Sequence, residues 1–239
     1  MEATSSIFLA TVCDNYAYHP RFRVSSGFAC LIRAEANYIL FDTGSYAPTL
    51  LHNMACLGVD PTRIGHIVLS HLDGDHIGGL FGILEQAGTV SVYIPASSPP
   101  SFVKKIASHG AKVVKVSSAM EICPGVTSTG ELGPWIKEQS LVIATKNGNA
   151  VMVGCGHPGI IEIVRKVRGT GHSIHLLAGG FDTGSMTAYQ LQALAAELMR
   201  LGVRKVAPCH CSGDTARALL REEFGEDFVE NGAGMTMEL

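Results

Sequence analysis

The chain has 239 residues, 46% of them hydrophobic and 16% charged, with a formal net charge of −3 and a pI near 6.3. Such a composition supplies a substantial core, excludes a disordered chain and carries no basic footprint for nucleic acid. The seven cysteines are odd in number and irregularly spaced, and no apolar run reaches membrane-spanning length, so neither a disulfide framework nor a membrane protein is indicated. Without a basic and apolar leader, the expectation is a cytoplasmic protein with reduced thiols, folded as a single domain over residues 1–239.

In chain order, residues 7–12 read as a strand, and 27–33 with 37–41 as a hairpin that ends in the turn Asp42-Thr43-Gly44. A helix over 49–57 stops at Gly58, Asp60-Pro61 opens a short helical turn, and 67–70 is a strand followed by a helix over 77–86. Strands over 90–94 and 112–116 bracket a helix over 101–108, and 125–130 is rich in turn residues. Residues 141–145 and 150–153 pair across Lys146-Asn147-Gly148-Asn149. Then follow a helix over 159–167, a strand over 173–177, a helix over 187–201 closed by Gly202, a strand over 205–207 and a helix over 215–224. Two stretches of hairpins, each followed by helices, suit two mixed sheets packed face to face with helices outside, rather than one parallel sheet.

The chemistry concentrates in residues 70–79, Ser-His-Leu-Asp-Gly-Asp-His-Ile-Gly-Gly, directly after the β-branched run Ile67-Val68-Leu69. His71, Asp73, Asp75 and His76 fall within six positions at a strand's end, where imidazoles and carboxylates can hold a metal and leave a position open for water. Three more polar residues stand where strands run out: His157 in Gly-Cys-Gly-His-Pro-Gly, Asp182 in Gly-Gly-Phe-Asp-Thr-Gly and His210 in Pro-Cys-His-Cys. The competing readings are local: Asp75 or His76 capping a helix, His157 in a structural turn, Asp182 in a plain Asp-Thr-Gly turn like that of Asp42. If the backbone stays extended through His210, neighbours alternate and Cys209 and Cys211 turn away as buried thiols. Cys155 and Trp135 are read as packing residues, and His19, His52, His66, His109, His172 and His175 lack a motif.

These segments, with Asp14-Asn15 and Leu40-Phe41-Asp42-Thr43-Gly44, resemble the metallo-β-lactamase superfamily. More narrowly they resemble its 7,8-dihydropterin-6-yl-methyl-4-(β-D-ribofuranosyl)aminobenzene 5′-phosphate synthase-like subfamily. The resemblance implies an α/β fold, a four-layer αββα sandwich with a dinuclear centre. His71, Asp73 and His157 would bind one metal, and Asp75, His76 and His210 the other. Asp182 would bridge them beside a hydroxide, and Asp75 would also take a catalytic part. Three carboxylates and one hydroxide then balance two divalent cations in charge. Asp73 replaces the superfamily's usual histidine, and Asp182 the subfamily's. The metals implied are zinc in the first place, and manganese or iron in view of the oxygen Asp73 adds. The resulting expectation is a hydrolase of a small molecule, a phosphoester, lactone or other acyl compound. The alternatives are the pterin-related transferase, a non-catalytic metal or ligand binder with a degraded site, and a nuclease like the superfamily domain of DNA-uptake channels, which shares the loop His-x-Asp-x-Asp-His.

Overall fold

A computed structural model describes residues 6–171 and 173–239; His172 lies outside them. The first sheet opens with the antiparallel strands β1 (Ile7–Cys13), β2 (Ala29–Ala34) and β3 (Asn37–Phe41). Helix α1 (Ala47–Cys56) then crosses to β4 (His66–Val68), which lies parallel to β3. The short helices α2 (Gly74–Ile77) and α3 (Leu80–Leu84) lead to β5 (Ser91–Pro95), and α4 (Pro100–Ser108) leads to β6 (Lys112–Val116), both strands again parallel. The second sheet repeats the plan. Strands β7 (Met120–Cys123), β8 (Val126–Ser128), β9 (Leu141–Thr145) and β10 (Gly148–Val153) meander antiparallel. Helix α5 (Ile160–Arg168), β11 (Ile174–Gly180), α6 (Ala188–Arg200) and β12 (Val203–Cys209) continue with parallel pairing. Helix α7 (Asp214–Phe224) follows, and β13 (Thr236–Glu238) returns to the outer side of β1. The strand orders are β13-β1-β2-β3-β4-β5-β6 and β12-β11-β10-β9-β8-β7.

Three apolar clusters separate the layers. Between the sheets, Phe28, Ile32, Phe41 and Val68 pack with Leu141, Ile143, Met152 and Ala207. Leu31, Leu40, Ile67 and Val92 face outward beneath Leu50, Met54, Ile83 and Ile106 of α1, α3 and α4. Val151, Leu177 and Val206 lie beneath Ile163, Leu198 and Leu220 of α5, α6 and α7. Strands covered on both faces read as continuous apolar runs, as β1 does. The architecture is the αββα sandwich.

Three sequence expectations change. The helix over 77–86 is broken into α2 and α3, because Gly78 and Gly79 lie so close to the loop after β3 that a Cβ would come within 2.2 Å of the Ser45 and Thr43 carbonyl oxygens. The turn-rich stretch 125–130 holds a strand, β8, paired with β7 around Pro124-Gly125; both are too short to show a period. The expected strand over 205–207 spans the seven residues of β12, and β13 carries too few residues to be read in sequence.

One glycine binds the fold to the region after β4. Gly27 has φ +100 and donates its N–H to Asn15 Oδ1, and a Cβ there would sit 1.9 Å from the Asp75 carbonyl oxygen. Gly58 is also left-handed, with φ +69, but faces open space. Gly27→Ala is expected to destabilise the protein by roughly 2–4 kcal/mol, combining backbone strain and overpacking, whereas Gly58→Ala costs about 1 kcal/mol. Equal shifts in the denaturation midpoints of the two variants would contradict this.

Candidate metal centre

The polar residues singled out in sequence stand at the carboxyl ends of strands from both sheets. Ser70 and His71 follow β4, Asp42 follows β3, and Cys155 and His157 follow β10. Asp182 follows β11, and His210 follows β12. Glycines allow the sheets to meet there: a Cβ on Gly154 would lie 2.2 Å from Ser70 Oγ and 3.2 Å from Asp42 Oδ2. Among the described residues, the non-glycine residues with positive φ are Glu35 in the β2–β3 turn, and Asp42, Asp182 and His210. Backbone strain is thus concentrated at these strand ends.

Four imidazoles converge, and each is held by its Nδ1. Asp42 is fully buried; its Oδ1 accepts from the Ser70 N–H at 2.7 Å, and its Oδ2 accepts from Ser70 Oγ at 2.6 Å. His76 Nδ1 also lies 2.7 Å from Asp42 Oδ2. Ser70 Oγ, having given its proton to Asp42, accepts from His71 Nδ1 at 2.8 Å. His157 Nδ1 lies 3.0 Å from Glu138 Oε2. His210 Nδ1 lies 3.2 Å from Asn15 Oδ1, which the Gly27 N–H identifies as the amide oxygen. Every Nδ1 therefore carries a proton, and every Nε2 offers a lone pair inward.

The inward nitrogens have the environment of metal ligands. His71 Nε2 is buried without a hydrogen-bond partner, a situation that costs about 1–3 kcal/mol if nothing satisfies it. His76 Nε2 and His210 Nε2 face each other at 3.2 Å, two lone pairs that only a proton or a cation between them reconciles. The donors fall into close groups: His71, Asp73 and His157; Asp75, His76 and His210; and two that include Cys155. Asp73 Oδ2 is 3.4 Å from His71 Nε2 and 3.9 Å from His157 Nε2. Asp75 Oδ2 is 3.5 Å from His210 Nε2, and its Oδ1 is 3.9 Å from His76 Nε2. The residues present fit a pair of divalent cations in donor type, burial and orientation.

The proton distribution follows the same contacts. Burial lowers His76, but the charge and hydrogen bond of Asp42 outweigh it and raise the group. The hydrogen bond to Glu138 raises His157. Burial, then the charge of His76, lowers His71 and brings His210 down to about 4. Burial would raise the Glu138 carboxyl; the His157 hydrogen bond, the His71 charge and the amides of Gly156 and His157 hold it at about 2 instead.

Asp182 stands apart. It is exposed, and among the described residues it joins none of the close groups, acting on His157 through its charge. Cys155, expected in the core, has its Sγ 3.1 Å from His76 Nε2 and 3.3 Å from His210 Nε2. Cys209 is buried in the core between the sheets, as expected. Cys211 does not turn away: His210 takes φ +51 and opens a 3-10 turn, which breaks strand alternation and brings Cys211 Sγ to 3.3 Å from the Cys155 carbonyl oxygen.

Trp135, expected to pack, is 93% exposed, on the loop whose Leu132 pairs with Glu138. Glu138 itself escaped sequence reasoning. Fully buried, it accepts from the N–H groups of Cys155, Gly156 and His157 and so fixes the whole turn that bears His157. Its signal, an acid followed by Gln-Ser at the entry to β9, points to no chemistry by itself.

Comparisons with known proteins agree with this architecture. The sequence model of the metallo-β-lactamase superfamily matches residues 23–160. The chain is 29% identical to the 7,8-dihydropterin-6-methyl-4-(β-D-ribofuranosyl)-aminobenzene-5′-phosphate synthase of Methanocaldococcus jannaschii, over 96% of this chain and 95% of that one. The crystal structure of Tm1679, described as a metal-dependent hydrolase of the β-lactamase superfamily, has a TM-score of 0.82 at 23% identity, covering 98% of this chain and 99% of that one. The metallo-β-lactamase fold protein YhfI from Bacillus subtilis has a TM-score of 0.73 at 12% identity, covering 98% and 100%. With the family match spanning more than half of its length, this chain belongs to the metallo-β-lactamase superfamily.

Proposed function

We propose that this protein is a metal-dependent hydrolase of a small phosphoester, lactone or other acyl compound, working in the cytoplasm without nucleic-acid or membrane partners. The observation that carries the reading is the pair of adjacent donor groups, His71 with Asp73 and His157, and Asp75 with His76 and His210. Two divalent cations held there, zinc first and manganese or iron after it, would acidify a water and polarise the scissile carbonyl or phosphoryl oxygen. Asp182 is proposed to approach them from the rim rather than from the centre.

The chain's own groups divide the work by burial. The imidazoles of His71 and His76 form the closed floor, whereas the side chains of Asp73 and Asp75 are 52% and 32% exposed. Water and substrate reach the cluster from the carboxylate side. Asp75 faces both the donor group and solvent, the position from which a carboxylate takes a proton from an incoming water. Glu138 and Asp42 act through the histidines, holding His157 and His76 in one tautomer and orientation.

A second reading has its own support: the end-to-end match to the Methanocaldococcus synthase. In it the same donors would bind and activate a pterin or aminobenzene phosphate substrate instead of water. A panel of phosphodiesters, phosphomonoesters and lactones, assayed with added zinc, manganese or iron, separates the two. The hydrolase reading expects turnover that falls on the order of 100-fold in His157→Ala and Asp75→Ala. No turnover of the panel, with activity on dihydropterin and aminobenzene precursors, would replace it by the synthase. Glu138→Gln keeps the volume but loses the charge that orients His157. It is expected to weaken zinc binding by about 10–100-fold with unchanged circular dichroism; wild-type affinity in that variant would show that Glu138 holds only the loop.

A further inference from the structure

We infer that Cys155 is a thiolate ligand at the site formed by Asp75, His76 and His210. The inference rests on the metal-centre reading above and adds to it a donor that the resemblance does not supply. Cys155 Sγ lies 3.1 Å from His76 Nε2 and 3.3 Å from His210 Nε2, and the two nitrogens lie 3.2 Å from each other. The three atoms make a nearly equilateral triangle, and Asp75 Oδ2 lies 3.5 Å from its His210 corner. Nitrogen and sulfur donors placed about 2.0–2.3 Å from one tetrahedral centre are separated from each other by roughly 3.3–3.6 Å. The edges among His76, His210 and Cys155, 3.1 to 3.3 Å, come close to that spacing, which suits three donors of one centre.

A hydrogen-bonded thiol accounts for less. The Nδ1 atoms of His76 and His210 are both committed to acceptors, Asp42 and Asn15, so both Nε2 atoms present lone pairs to the sulfur. One S–H proton serves only one of them. The neighbouring His71 Nε2, in a close group with His76 and Cys155, is buried and without a hydrogen-bond partner. The backbone that carries the sulfur is held in place. The Cys155 N–H donates to Glu138 Oε1 at 3.1 Å, and Gly154 before it is pressed against Ser70 and Asp42.

On binding, the Cys155 S–H bond breaks, a sulfur–metal bond forms and the proton passes to solvent. The thiolate makes this site the softer of the two, favouring zinc or cadmium over manganese there.

Cobalt(II) loading of the full chain, followed by absorption spectroscopy, tests the assignment without reference to activity. The expected spectrum has visible d–d bands together with a near-ultraviolet thiolate-to-cobalt charge-transfer band. That band is lost in Cys155→Ser, which keeps the d–d bands, and is retained in Cys211→Ser. Visible bands without the charge-transfer band in the wild type overturn the role of Cys155 while the metal centre stands, and this arm holds even if Cys155→Ser does not fold. A charge-transfer band that survives Cys155→Ser overturns it too, and its loss in Cys211→Ser would move the ligand to that thiol. Failure to take up cobalt at all would remove the metal centre itself.

Discussion

The site depends on one constraint: the four imidazoles give their Nδ1 protons to fixed acceptors, leaving Nε2 turned inward. Asp42 serves His76 directly and His71 through Ser70, Glu138 serves His157, and Asn15 serves His210. Free imidazoles would spread over two tautomers and several ring orientations, and a metal would have to organise them on arrival. Here the ordering is done by folding, because Asp42 and Glu138 are buried and anchored to backbone amides, and the exposed Asn15 is fixed by the Gly27 amide. The arrangement also explains why the nitrogens lie within van der Waals distance of one another although their lone pairs repel.

The sandwich makes this possible by ending parallel strands from two sheets at one edge. Strands β3 and β4 deliver Asp42, Ser70 and His71; β10, β11 and β12 deliver Cys155, Asp182 and His210. Ligand sites at the carboxyl ends of parallel strands are a general consequence of such topology, since loops there are free to vary while the strands stay fixed. Two additions are specific to this chain. Gly154 allows close contact between the sheets, and left-handed backbone at Asp42, Asp182 and His210 turns the chain sharply at the strand ends. Conformations of that kind cost on the order of 1–3 kcal/mol each and persist where the surroundings hold them.

Much of this was legible in sequence, for identifiable reasons. The cluster from His71 to His76 is local, so spacing alone reveals it, and His157 and His210 follow apolar runs whose ends are marked by glycine or proline. The two mixed sheets follow from hairpins that alternate with helices. What sequence did not show lies in contacts without a local signature. Glu138 works across a distance of 17 to 19 residues, through backbone amides that have no side-chain identity. Alternation assumes extended backbone and so turns Cys211 away, whereas His210 leaves that region. Cys155 reads as a core residue because burial favours a small thiol, and only the structure shows its sulfur turned toward His76. The split between α2 and α3 reflects a tertiary approach at Gly78 and Gly79 that no helical period records.

The central claim is that two neighbouring sets of donors, preorganised by their hydrogen bonds, each take a divalent cation. Elemental analysis by mass spectrometry, on full-length protein loaded with zinc and then passed through a desalting column, measures this directly. The account predicts two metal ions per chain, falling to one when His157 is replaced by alanine and the Asp75, His76 and His210 set is left intact. Fewer than one ion per chain after loading with zinc, manganese and iron in turn would contradict it.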